Sequence, residues 1–140
     1  MAKTGPIIII EDDIDDQEML KEVFETIGVT NELRFFDNGL KALEHLRVTL
    51  DMPFLILTDV NLPVMNGIEL RGEIIKDENL RKKSIPYIFL STSDDMVAIR
   101  KVYDMQVQGY FIKENSYAGI LNLIKMIVEY WKTCKHPNTY

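Results

Sequence analysis

Phe54-Leu55-Ile56-Leu57-Thr58-Asp59-Val60-Asn61-Leu62-Pro63-Val64-Met65-Asn66-Gly67 is the stretch that decides the fold. Four apolar residues run unbroken into Thr58 and a single carboxylate, Asp59, and the following loop is stiffened by Pro63 and closed by Asn66-Gly67. A short, uninterrupted apolar run predicts a strand buried on both faces, the kind found in parallel sheets. An acid at the carboxyl end of such a strand stands where open α/β sheets place their ligands, which makes Asp59 the candidate for chemistry.

Three further apolar runs end in polar groups. Pro6-Ile7-Ile8-Ile9-Ile10 ends in Glu11-Asp12-Asp13, Pro86-Tyr87-Ile88-Phe89-Leu90 in Ser91-Thr92-Ser93, and Gly109-Tyr110-Phe111-Ile112 in Lys113. Parallel strands emerge on one side, so an acid cluster, a lone acid, a hydroxyl and a lysine are expected around one crevice. Glu32–Phe36 alternates only partly and reads as an edge strand.

Helices are predicted from Asp15, capped with Glu18, to Gly28; from near Asn38, burying Leu40, Leu43, Leu46 and Leu50; after Asn66; after Ser93; and from Ser116 to about Thr133. The helix after Ser93 is weakly apolar. Asp77–Ser84 reads as a charged, solvated connection and Pro137–Tyr140 as a frayed tail. Five strands alternating with five helices predict a doubly wound α/β sheet in the order 2-1-3-4-5, as in flavodoxin-like folds.

Composition narrows the function. A length of 140 residues suits one domain with one core. A net charge of −6 speaks against a nucleic-acid surface, which wants a basic stripe. No run approaches the ~20 apolar residues of a membrane span, and no signal-peptide pattern opens the chain. Cys134 has no second cysteine to pair with, so a cytoplasmic protein is expected. His45 and His136 read as solvated.

From about Pro6 to Trp131, with these four strand ends in this order, the chain resembles a response-regulator receiver domain of the CheY type. Carboxylates crowded in one crevice repel and favour a hard cation such as Mg²⁺. The resemblance implies that Asp12, Asp59 and the Asn61 backbone carbonyl bind Mg²⁺, with Glu11 acting through water. It implies that Asp59 takes a phosphoryl group from a phosphohistidine on a histidine kinase or histidine phosphotransfer protein. Ser91 and Lys113 would hold the phosphoryl oxygens, and Ser91 and Tyr110 would form a two-state switch. The chain departs from the family after Lys113, where Glu114 replaces the usual proline of a cis peptide. The segment Asp77–Ser84 resembles that of small stand-alone regulators paired with phytochrome-like kinases.

Other readings stay open. Haloacid-dehalogenase phosphatases also use a strand-end Asp but want a second acid two residues on, where this chain has Asn61. A flavodoxin-like nucleotide carrier would have a Ser-, Thr- and Gly-rich loop in place of Glu11-Asp12-Asp13. A receiver that binds partners without taking phosphate is the third reading. On the last helix the apolar arc is wider than one core needs, and Met126 and Tyr130 extend it. They are expected to form, with the preceding helix and the Gly109–Lys113 strand, a surface for a downstream protein or a second copy of the chain.

Overall fold

The structure, a computed structural model, describes residues 2–136. Five parallel strands stand in the order β2-β1-β3-β4-β5: β1 Ile7–Ile10, β2 Leu33–Phe36, β3 Leu55–Thr58, β4 Tyr87–Ser91 and β5 Gly109–Ile112. The helices are α1 Ile14–Thr26, α2 Gly39–Val48, α3 Gly67–Lys76, α4 Glu78–Lys82, α5 Met96–Asp104 and α6 Tyr117–Thr133.

The sheet divides the interior into two apolar layers. Ile8, Ile10, Ile56 and Phe89 pack with α2 and α3 residues, while Ile7, Ile9, Leu57 and Leu90 pack with α1 and α6. Alternate strand residues point to opposite faces, so a strand inside such a sheet must be apolar at every position. β1 is, and β3 departs only at its last residue, Thr58, whose Oγ1 donates to the Asp59 carbonyl; every residue of both strands is buried. Edge strand β2 is only half-buried throughout.

Helix ends follow from local polar groups. Asn38 caps α2, Ser116 caps α6, and Asn66 with Glu69 forms a capping box on α3. Gly28 takes φ +79 after α1, the left-handed conformation that glycine adopts without a side-chain clash.

The structure corrects several expectations. The described residues form six α-helices rather than five: the stretch expected as solvated connection carries α4, capped by Asp77 and pinned by buried Leu80. α1 starts at Ile14, one residue before Asp15, with Asp13 as the N-cap, its side chain accepting the Asp16 N–H. The helix expected after Ser93 is α5; it starts at Met96 and is capped by Asp95, whose own N–H is accepted by Ser93 Oγ two residues earlier.

Leu40 is 37% exposed and Leu50 fully exposed. Leu40 lies on the flank of α2, about 100° from the Leu43–Leu46 side, and Leu50 lies beyond the C-cap Thr49. His136 is buried, its ring beside those of Trp131 and Phe54. His45 is half-buried and bonded to Arg34. α5 buries only Val102, in line with its weak apolar pattern. The tail Pro137–Tyr140 lies outside the described residues.

Candidate functional site

Strand register assembles the site. Ile10 of β1 is level with Thr58 of β3, and Thr58 with Phe89 of β4, so the next residues, Glu11, Asp59 and Leu90, leave the sheet side by side. Ser91 follows one step on, level with Ile112, and its carbonyl accepts the Lys113 N–H at 2.7 Å. Four segments far apart in the chain thereby deliver Glu11, Asp12, Asp59, Ser91 and Lys113 to one end of the sheet.

Lys113 is the electrostatic centre. Its ammonium lies 2.9 Å from Glu11 Oε1 and 3.4 Å from Asp16 Oδ2. Burial works against the charge on Lys113, but the hydrogen bond and charge of Glu11, with Asp16 and Asp59 behind, outweigh it and raise its pKa. Burial pushes the Glu11 carboxyl above the usual range, and Lys113 and the Asp13 N–H partly offset this. Asp16 escaped the sequence reading. It sits in the first turn of α1, five positions after Glu11, and only the path of the helix start brings it to Lys113.

Oxygen atoms of Glu11, Asp12 and Asp59 lie within 4.8 Å of one another. Their hydrogen bonds sort them. Glu11 uses Oε1 for Lys113 and Oε2 for the Asp13 N–H, 3.1 Å away, while Gln17 Nε2 donates to its backbone carbonyl at 2.6 Å. Asp59 accepts the Val60 N–H on Oδ1 at 2.7 Å, leaving its other oxygen open, and Asp12 is exposed. Two available carboxylates beside a third that is already engaged fit a hard, oxygen-seeking cation such as Mg²⁺, which keeps several waters. Asn61 lies exposed on the loop two residues after Asp59.

The remaining predicted residues are placed as follows. The Ser91 side chain is buried and its Oγ accepts the Ser93 N–H at 3.2 Å. Tyr110 is half-buried against Phe89, ring centroids 5.6 Å apart, and its hydroxyl donates to the Ser93 carbonyl at 2.6 Å. That bond ties β5 to the loop after Ser91. The Lys113–Glu114 peptide is trans. Glu114 Cβ and Cγ lie over Gly119 in the first turn of α6, where a helix start favours negative charge.

Gly67 opens α3 directly against the Asp59 carbonyl, and Tyr87 Oη donates to the Gly67 carbonyl at 2.5 Å. Away from the crevice, Met126 is 50% and Tyr130 60% exposed, so no neighbouring helix covers them.

A 2-1-3-4-5 parallel sheet with an acid triad, a hydroxyl and a lysine at its carboxyl edge defines a flavodoxin-like module with its binding crevice at that edge. The chain belongs to the response regulator receiver domain family, whose profile matches residues 7–125. It is 30% identical over 129 residues to the probable methanogenesis regulatory protein FilR2 of Methanothrix harundinacea, spanning 89% of this chain and 82% of that one. It is likewise 30% identical over 133 residues to response regulator Rcp1 of Synechocystis, spanning 89% of this chain and 87% of Rcp1.

The phosphorylated cyanobacterial phytochrome response regulator RcpA superposes with a TM-score of 0.86 at 30% identity, covering 95% of this chain and 98% of RcpA. The Mn²⁺-bound form of Rcp1 superposes with a TM-score of 0.83 at 28% identity, covering 94% and 98%. The protein is thus a receiver domain of a two-component response regulator. Such domains are phosphoacceptors rather than enzymes, bind a divalent cation at the acidic pocket, and work between histidine kinases and downstream targets. No helix among the described residues is long and apolar enough to cross a membrane.

Proposed function

We propose that this chain is a cytoplasmic regulator that accepts a phosphoryl group on Asp59 and passes the signal through its α5-β5-α6 surface. The observation that carries the reading is the strand register, which sets the open Asp59 oxygen beside Asp12 and Glu11, with the Lys113 ammonium bonded to Glu11. The Asp59 carboxylate attacks the phosphorus of a phosphohistidine on a histidine kinase or phosphotransfer protein. The P–N bond breaks, a P–O bond forms, and the leaving imidazole takes up a proton.

Asp12, Asp59 and the Asn61 carbonyl would hold Mg²⁺, with Glu11 reaching it through water. When bound, the ion offsets charge on the phosphoryl oxygens. Lys113 keeps one N–H beyond those given to Glu11 and Asp16 and offers it to a phosphoryl oxygen. Ser91 turns its hydroxyl proton toward another. A Ser91 that follows the phosphoryl group pulls on the loop that Tyr110 holds through Ser93, and so moves β5. By these roles the chain assists its own phosphorylation and dephosphorylation.

The similarity to Rcp1 and RcpA supports a phytochrome-type histidine kinase as donor. Met126 and Tyr130, exposed on α6, supply apolar area for a downstream protein or a second copy of the chain. The test is intact mass after treatment with a small phosphodonor and Mg²⁺. We expect about 80 Da on the wild type, the mass of one phosphoryl group, and none on Asp59→Asn. An unmodified wild type, or a modified variant, overturns the assignment.

A further inference from the structure

The end of the sheet opposite Asp59 holds a cavity of about 420 Å³, within the span of small-molecule sites, ~300–1,000 Å³. It opens where β3 and β4 begin, between the second half of α3, the α4 turn and the end of α6. Its floor is apolar, with Ile56, Ile74, Leu80 and Trp131 among the residues that form it. Its polar lining includes Arg71, Arg81, Lys135 and His136 and, among the described residues, not one aspartate or glutamate. In a chain with 22 acidic and 16 basic residues, a wall with several cations and no acid is a local reversal of charge.

The cations are also unneutralised. Arg71 donates from Nε to the Met105 carbonyl at 3.0 Å and from Nη2 to the Gln106 carbonyl at 2.8 Å, and its guanidinium lies 5.3 Å from the Tyr87 ring centroid. These contacts hold a half-buried cation in place without supplying a negative charge, and burial lowers its pKa. Arg81 donates to the Ile75 carbonyl at 3.1 Å and Lys135 is exposed. Among the described residues none of the three has a carboxylate partner. Nearby cations outside the cavity lining have such partners: Arg47 pairs with Asp77, Lys76 with Glu73 and Lys82 with Glu78.

We propose that this cavity is a binding site for a small organic carboxylate with an apolar body, a ligand class separate from the phosphoryl group at Asp59. The apolar part enters between Leu80 and Trp131, and the carboxylate meets the guanidinium and ammonium groups at the mouth. An arginine fork matches a carboxylate in geometry, and a charge-assisted hydrogen bond there is stronger than a neutral one.

Trp131 is the only tryptophan of the chain, so its emission reports on this cavity directly. The experiment titrates the full chain with octanoate, with 1-octanol, which lacks the charge, and with inorganic phosphate, which lacks the apolar body. Trp131 fluorescence and calorimetry are followed. Octanoate is expected to saturate, with 1-octanol and phosphate each at least about tenfold weaker. Arg81→Gln with Lys135→Gln, both at exposed positions, is expected to weaken octanoate at least about tenfold with an unchanged melting temperature. Four results overturn the proposal: no saturable binding of octanoate; 1-octanol as tight as octanoate, an apolar void only; phosphate as tight as octanoate, an adventitious ion only; or the double variant binding like wild type.

Discussion

Lys113 and Glu11 lie 102 positions apart in the chain and meet as an ion pair of 2.9 Å, with side-chain exposures of 10% and 5%. A pair this enclosed depends on both partners. Each loses hydration on folding, and each is the other's main compensation. The pair is structural in this structure, and under the proposed phosphorylation of Asp59 it would also act in the chemistry.

Lys113→Met keeps the apolar stem and removes the charge, leaving Glu11 enclosed beside Asp59 and Asp12. We expect a loss of about 1–3 kcal/mol in urea unfolding without divalent cation. Mg²⁺ should stabilise the variant more than the wild type, because it returns positive charge to the crevice. Equal Mg²⁺ stabilisation of the two would show that Lys113 and the cation site are electrostatically independent.

Asp12→Ala acts the other way. Removing an exposed acid from a crowded cluster relieves repulsion, so stability without metal should hold or rise slightly. The stabilisation gained from Mg²⁺, about 2.7 kcal/mol for a ligand at a hundred times its dissociation constant, should fall sharply. Thermal melts with and without Mg²⁺ decide it. A clear loss of metal-free stability with Mg²⁺ affinity intact would make Asp12 a structural residue.

Gly67→Ala should be costly although it adds one methyl group. The new Cβ would overlap the Asp59 carbonyl, lie 2.8 Å from Phe89 Cε1 and come within 3.1 Å of Thr58 Oγ1. Neither a strand-end backbone nor a buried ring yields easily, so we expect about 1–3 kcal/mol of destabilisation in chemical denaturation. An unchanged midpoint would mean that α3 can shift away from Asp59 at no cost.

Met126→Glu with Tyr130→Glu changes two exposed side chains, so the melt should stay within about 0.5 kcal/mol of wild type. Self-association by light scattering, or binding to a downstream target, should be lost. Unchanged folding together with unchanged association and target binding would rule this face out as the docking surface.

The sequence carried the sheet well because β1 is an uninterrupted apolar run and β3 and β4 are apolar up to a terminal hydroxyl residue, a pattern with little competition at such lengths. The acids, Ser91 and Lys113 were readable as strand ends. What stayed hidden depends on geometry that spacing alone does not encode. α4 offers one buried apolar residue, Leu80, inside a charged segment, too little for a helical period to show. Its support is local instead, the Asp77 cap and a Glu78–Lys82 pair across one turn. Asp16 reads as one acid among several at a helix start. His136 looked solvated because nothing in its neighbours indicates that the chain folds back between Trp131 and Phe54.

The four consecutive isoleucines of β1 have a consequence for alignment. A strand of identical side chains carries no internal mark of position, so a slip by one residue would exchange the two faces without changing what either face is made of. The mark must come from the ends. Before the run, the Pro6 carbonyl accepts the Phe54 N–H at 2.8 Å; after it, Glu11 is held by Lys113 on one side and by the Phe36 carbonyl, which accepts its N–H at 2.9 Å, on the other. A slip that pushed Glu11 into the sheet would bury an acid among hydrocarbon, and a slip the other way would carry it past Lys113. The same glutamate that lines the crevice therefore serves as the ruler against which the central strand is set, and evolution of the site is constrained by the need to keep the sheet in step.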